Sequence, residues 1–182
     1  KEFKKVANIS HFVMASPGQG TQYLRLGSDL YKNHGIFKEL IDKSCQIYRE
    51  EFSIDLLPVF LNNESGLIHF TQYTQPCLFI YQYALLKLME SLGIKGDYYI
   101  GHSIGEFSLA LIRGIFSLRD SLKIVGIRAQ LMGELPSGSM LSIRANEHLV
   151  QNYLDEFKRI SKNNDTHHLS IATINSAELC VV

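Results

Sequence analysis

The sequence predicts an α/β fold built on a parallel sheet and followed by a smaller α+β unit, and three stretches carry that expectation. The apolar run Phe12-Val13-Met14-Ala15 reads as a strand buried in a parallel sheet, ending in the loop Pro17-Gly18-Gln19-Gly20-Thr21-Gln22. Asp97-Tyr98-Tyr99-Ile100-Gly101-His102-Ser103-Ile104-Gly105-Glu106 reads as a short strand that breaks sharply at Ser103 and runs straight into a helix. From Met140 the order strand, helix, strand, strand opens a split β-α-β arrangement.

Residues 1–10 are charged and aperiodic, as in a linker or a tail. Between Ile36 and Glu50 the residues Phe37, Leu40, Ile41, Ile47 and Tyr48 recur at helical spacing and predict one core-facing side. Pro58 and Asn62-Asn63-Glu64-Ser65-Gly66 interrupt the chain. Thr74 is the expected N-cap of a long helix, with Pro76 in its first turn, a stripe of Leu78, Tyr81, Leu85, Leu88 and Leu92, and a stop at Gly93. After Ser103 an apolar helix continues through Phe107, Ala110 and Leu111 to Gly114. Ser117 caps the next helix, with Asp120 three residues on and a stripe of Leu118, Leu122, Val125, Ala129 and Met132. Residues 140–144 predict a strand, Leu149, Val150, Tyr153, Leu154 and Phe157 a helix, and 161–166 a polar loop. A second strand is expected over 169–174, a turn at Asn175-Ser176, and a third strand from Leu179. The chain stops on Cys180-Val181-Val182 inside an apolar strand, which is expected of a fragment. The expected organisation is a tail over 1–10, the N-terminal part of the core over 11–136, and an incomplete subdomain over 137–182.

Eighteen basic residues balance eighteen acidic ones, so the charge gives no electrostatic case for nucleic acid or an anionic membrane as partner. Cys45, Cys77 and Cys180 are odd in number and lack CxxC spacing, which points away from a disulfide framework or a metal site and towards a reduced, cytoplasmic setting. No apolar run is long enough to span a bilayer as a helix, and no signal-peptide core follows Lys1-Glu2-Phe3-Lys4-Lys5.

A serine with glycine two residues before and two after, between a strand and a helix, fits a strained elbow that exposes its hydroxyl. The following helix directs free N–H groups and its positive end at the place where an oxyanion would form, which suits acyl transfer through a serine ester. A tight turn carrying a chance serine has the same pattern. The Pro17–Gln22 loop can converge backbone N–H groups on an anion or a carbonyl oxygen, or be a plain turn. At about 100° per residue, Arg128 falls inside the apolar arc of Ile124, Val125, Leu131 and Met132. A buried guanidinium needs an anion, supplied by a protein carboxylate or a ligand, unless the side chain snorkels to solvent.

SPGQGTQY from Ser16, TQP from Thr74, GHSIGEFSLA around Ser103, GIFSLRDSLKIVGIRAQLM from Gly114, LPSGSML from Leu135 and INS from Ile174 together resemble the acyltransferases that load malonyl-type groups onto acyl carrier proteins. The wording is closest to the acyltransferase domains of modular polyketide synthases, and the match runs from about residue 11 to the end. The resemblance implies an α/β-hydrolase-like parallel-sheet core with an inserted, here incomplete, ferredoxin-like α+β subdomain. It implies Ser103 as nucleophile, the N–H groups of Gln19 and Ile104 as oxyanion hole, and Arg128 as the grip on the acyl carboxylate. Gln75, His102 and Asn175 correspond to pocket positions, His102 as a structural, hydrogen-bonded residue and not as the base. Ile104 beside the serine is the residue of malonyl-selective polyketide domains.

The implied reaction takes an acyl group, malonyl by preference, from coenzyme A and passes it to the phosphopantetheine thiol of an acyl carrier protein, with no bound cofactor and no metal. A ketosynthase domain in the same polypeptide is an implied neighbour. The family's base is a histidine downstream of Asn175, beyond this sequence; His11, His34, His69, His148 and His167-His168 match no such motif, so the 182-residue chain alone is expected to be nearly inert. Two other functions share parts of the pattern. A serine hydrolase or thioesterase shares the elbow, although no Asp-Gly of the patatin kind occurs and a hydrolase has no use for Arg128 in an apolar arc. A catalytically incomplete carrier-protein docking module shares the fold.

Overall fold

The most apolar long segment of the chain, 71–91, becomes the helix around which the first unit packs. The computed structural model describes residues 11–61, 66–136, 138–160 and 169–182, which fold as two units, one reaching to Leu135 and one running from Pro136 to Val182. The expected tail over 1–10, the polar loop over 161–166, the pair His167-His168 and residues 62–65 lie outside the described residues.

In the first unit β1 (Val13–Ser16) and β2 (Tyr98–Gly101) pair in parallel, Val13 opposite Tyr98 and Ser16 opposite Gly101. Parallel neighbours require a long crossover. It is made by α1 (Ser28–Asn33), α2 (Gly35–Phe52), α3 (Leu57–Leu61), a 3-10 turn (Leu67–His69) and α4 (Thr71–Ser91). After β2 come α5 (Ile104–Ile112) and α6 (Leu118–Gly133). Helix α4 packs against α2, α5 and α6, and Phe79, Ile80 and Cys77 on it are fully buried beside Phe37, Ile41 and Tyr48 of α2 and Leu122 and Val125 of α6.

Several expectations are corrected here. Thr74 does not cap α4, which starts at Thr71 after an extended Phe70; the Thr74 hydroxyl is instead buried, donating to the carbonyls of Ile68 at 2.6 Å and Phe70 at 3.0 Å. Pro76 consequently sits inside the helix rather than in its first turn, where its missing N–H takes the intrahelical donor from the Gln72 carbonyl. The stripe foreseen on α4 is too narrow, because neighbours on several sides bury Phe79, Gln82, Ala84 and Leu86 as well. Strand β1 buries Met14 and Ser16 but exposes Val13 and Ala15, since among the described residues its core contacts, with Leu86 and Leu109 around Met14, lie on one face. Pro58 lies in the first turn of a short helix, α3, rather than at a break, and α1 is a six-residue helix too short to show a period. Ser117 caps α6 as expected, its Oγ accepting from the Asp120 N–H at 3.1 Å.

In the second unit the order is β3 (Ser142–Ile143), α7 (Glu147–Ile160), β4 (Thr173–Ser176) and β5 (Leu179–Val181). Strand β5 lies between β3 and β4 and is antiparallel to both, so the two outer strands are split by a third. Val150 and Leu154 of α7 close over Cys180, while Leu149, Tyr153 and Phe157 stay exposed. Asn175 belongs to β4, not to a turn; the turn is at Ala177-Glu178. All three cysteines are free and buried, and no described helix is long and apolar enough to cross a membrane.

The Tyr48 hydroxyl is buried without a hydrogen-bond partner among the described residues. Tyr48→Phe removes that unsatisfied group and is expected to leave stability unchanged or raise it by about 1 kcal/mol. Phe79→Ala, in the same core, is expected to cost about 3 to 5 kcal/mol. Urea unfolding of both variants against the parent reads the contrast.

Candidate active site

The turn between β2 and α5 places Ser103 at φ 53° and ψ −118°, a backbone region that side chains other than glycine rarely occupy. Two glycines make this possible by closeness. A Cβ on Gly101 would stand 2.5 Å from the backbone nitrogen and Cα of Glu106. One on Gly105 would overlap the carbonyl oxygen of Ser16 and come within 2.7 Å of that of Pro17. The first turn of α5 therefore rests directly on the end of β1, and the His102 N–H donates to the Ser16 carbonyl at 3.0 Å. Ser103 is exposed, whereas the side chain of Ile104 is fully buried.

The loop after β1 folds over the same spot. A Cβ on Gly18 would lie 2.6 Å from Nδ1 of His102 and 3.3 Å from Cβ of Ser103, so only glycine lets the loop come this near the serine. The loop is braced by Thr21 Oγ1 donating to the Gly18 carbonyl at 3.1 Å, by the Gly20 N–H donating to Gln22 Oε1 at 2.8 Å, and by Gln19 Nε2 donating to Thr71 Oγ1 at 3.1 Å. The N–H groups of Gln19 and Ile104 donate to no protein group among the described residues. As the leading N–H of a helix, that of Ile104 has no intrahelical acceptor.

Helix α6 brings Arg128 to the serine: its Nη2 donates to Ser103 Oγ at 3.3 Å, while Nη1 donates to Gln75 Oε1 of α4. Gln75 is fully buried and its Nε2 lies 3.3 Å from the sulfur of Met132, so the amide is fixed where it meets the guanidinium. The guanidinium carbon stands 5.9 Å from the centre of the Phe107 ring. No carboxylate pairs with Arg128 among the described residues. The arginine is half-buried, not buried as its place in the apolar arc suggested, because Ile124, Leu131 and Met132 on either side of it are themselves exposed.

Ser103, Gln19, Ile104, Gln75 and Arg128 thus belong to the elements around one elbow. His102 is corrected: its ring is exposed and makes no hydrogen bond among the described residues, being wedged against Gly18 instead. Asn175 is in the second unit, exposed on β4, with its Oδ1 accepting from Thr173 Oγ1 at 3.4 Å. Burial pushes the thiols of Cys77 and Cys45 well above the usual cysteine range, so neither is poised as a thiolate nucleophile. Sequence reading missed Gln82 and Ser108, both buried against the loop and the elbow helix. The available signal was a polar residue inside each of two otherwise apolar helical runs.

The site thus consists of a strained serine at a strand-to-helix turn, flanked by free N–H groups and faced by a guanidinium with no carboxylate partner among the described residues. Residues 12–168 match the family model described as the acyl transferase domain, and the chain belongs to that family. It is 32% identical over 160 residues to a component of the phenolphthiocerol/phthiocerol polyketide synthase of Mycobacterium tuberculosis, covering 88% of this chain and 11% of that protein. Among solved structures, the acyltransferase domain from the second module of the salinomycin polyketide synthase superposes with a TM-score of 0.80 at 36% identity, covering 94% of this chain and 38% of that one. The malonyl-CoA:ACP transacylase of Synechocystis superposes with a TM-score of 0.73 at 27% identity, covering 93% of this chain and 53% of that one. The fold is accordingly the mixed α/β fold of acyltransferase domains.

Gly105→Ala is expected to destabilise by about 1 to 3 kcal/mol, because backbone on both sides must separate to admit a methyl group. Thermal unfolding against the parent gives the loss.

Proposed function

We propose that this chain is the serine-bearing part of an acyltransferase that moves a malonyl-type extender unit from coenzyme A to the phosphopantetheine thiol of an acyl carrier protein, in polyketide or fatty acid synthesis. Ser103 Oγ attacks the thioester carbonyl; a C–O bond forms, the C–S bond breaks, and the proton lost by the serine ends on the departing thiol. The carrier thiol then reverses the exchange and restores the serine. The N–H groups of Gln19 and Ile104 receive the oxyanion, and Arg128 takes the free carboxylate of the acyl group, held for it by Gln75.

One observation carries the reading: a guanidinium stands 3.3 Å from the nucleophile with no protein carboxylate to neutralise it among the described residues. A simple acyl group would leave that charge desolvated and unpaired, so the same arginine rejects monocarboxylic donors. Ile104 beside the serine supports malonyl over methylmalonyl. The polyketide synthases among the relatives support a carrier-protein acceptor and a ketosynthase neighbour. The parallel pair with its helical crossover is read as an α/β-hydrolase-like core, and the split strands of the second unit as a ferredoxin-like insertion.

On this reading the proton acceptor lies outside the described residues. Arg128 is the hydrogen-bond partner of Ser103 Oγ among the described residues, and a guanidinium cannot take up a proton. Malonyl transfer by the 182-residue chain alone is expected to be about 10⁴-fold slower than by a polypeptide that adds a histidine base, since that is the usual loss for a serine nucleophile without one. Equal rates, measured side by side, would remove the histidine from the mechanism.

Intact-mass measurement after incubation with malonyl, methylmalonyl and acetyl coenzyme A tests the donor. Malonyl ester is expected on the wild type and none on Ser103→Ala. Arg128→Ala is expected to lower the preference for malonyl over acetyl by about 10²-fold or more. Release of free malonate in place of transfer to a carrier thiol would make the protein a hydrolase.

A further inference from the structure

Gln82 projects from the middle of α4 into the space between the loop and the elbow helix and is 5% exposed. Its Nε2 donates to the Pro17 carbonyl at 2.7 Å, and its Oε1 accepts from the Ser108 hydroxyl at 2.7 Å. The orientation of the amide is dictated by chemistry, because a proline carbonyl can only accept. Ser108 is fully buried on α5, a little over one turn beyond Ser103. Pro17 opens the loop that carries Gln19, so one side chain ties the backbone bearing one oxyanion donor to the helix bearing the other.

Packing alone does not hold that loop. A cavity of about 330 Å³ lies against Pro17, Thr21 and Tyr23, walled by Leu85, Leu86 and Met89, and Ser103 is not among its lining residues. A loop with open space beside it has somewhere to go; Gln82, which also lines the cavity, holds its Pro17 end to α4, while the Gln19–Thr71 hydrogen bond holds its tip. We infer that Gln82, with Ser108, is a positioning residue that sets the distance between the Gln19 and Ile104 N–H groups. This inference rests on the acyltransferase reading for its chemistry, although not for its geometry.

Two variants, made in a chain that forms the malonyl ester on Ser103, test it. Gln82→Met keeps the volume and removes both hydrogen bonds. The maximal rate of Ser103 ester formation from malonyl coenzyme A is expected to fall about 10- to 100-fold, with the half-saturating donor concentration little changed, because displacements near 1 Å cost that much. Hydrogen exchange of the amides of residues 18–22 is expected to quicken. Gln82→Glu restores both hydrogen bonds only when its carboxyl is protonated, and burial raises the pH at which that happens. Its rate per folded molecule, relative to wild type, is therefore expected to climb as pH falls from about 8 to about 6, a rise that a change in folded fraction alone would not give.

Loop exchange equal to that of wild type in Gln82→Met, or an unchanged maximal rate per folded molecule, overturns the inference. If Gln82→Met does not fold, the pH series on Gln82→Glu decides, a flat ratio counting against. A wild type that forms no ester defeats the functional reading instead, and the exchange measurement then still decides whether Gln82 holds the loop.

Discussion

The end of β1 and the start of α5 occupy the same few ångströms, and the rest of the site follows from that crowding. Gly105 has no side chain because the carbonyls of Ser16 and Pro17 stand where one would be. Gly18 has none because His102 and Ser103 stand there. With strand, loop and helix forced together at backbone level, the serine between them can only take a left-handed conformation. Its hydroxyl is then delivered outward and the leading N–H of the helix lies beside it. The reactive geometry is a by-product of close packing between backbones, which is why it tolerates so little substitution at the glycines.

Arg128 presents the opposite case, a charge without an opposite charge beside it among the described residues. Its neighbours in the fold are an amide, a hydroxyl and an aromatic ring, all of them neutral. The guanidinium is oriented by Gln75 from the fully buried side and open on the other. Half-burial lowers the desolvation cost of waiting for an anion, compared with full burial, while the fixed fork keeps the geometry needed to receive a carboxylate in bidentate fashion. On the proposed reading, selectivity and stability are thus balanced at one residue of α6.

Much of this was legible in the sequence, and what was not has physical causes. The elbow, the glycine loop and the cap at Ser117 are written in local chemistry, where one residue type is needed at one position, and these could be read directly. Arg128 was placed on the right face of its helix, but periodicity reports only which residues share a face and not how much of that face is covered. Thr74 was misread because its hydroxyl suits a cap as well as it suits two buried carbonyls, and the choice is made by the preceding 3-10 turn. His102 was expected to bond and instead fills space. Gln82 and Ser108 were hidden, since a polar residue amid apolar neighbours reveals nothing of its partner when that partner lies 65 or 26 residues away.

The backbone at Ser103 carries a further meaning for how such a chain would age over generations. A side chain held in that conformation costs on the order of 1 to 3 kcal/mol, which glycine would not incur. As long as the hydroxyl is used, selection keeps the strain; once it is not, drift towards glycine at this one codon makes the protein more robust and silences it in a single step. A lineage that has abandoned the chemistry should therefore show its retirement first at the elbow, with the surrounding glycines still in place.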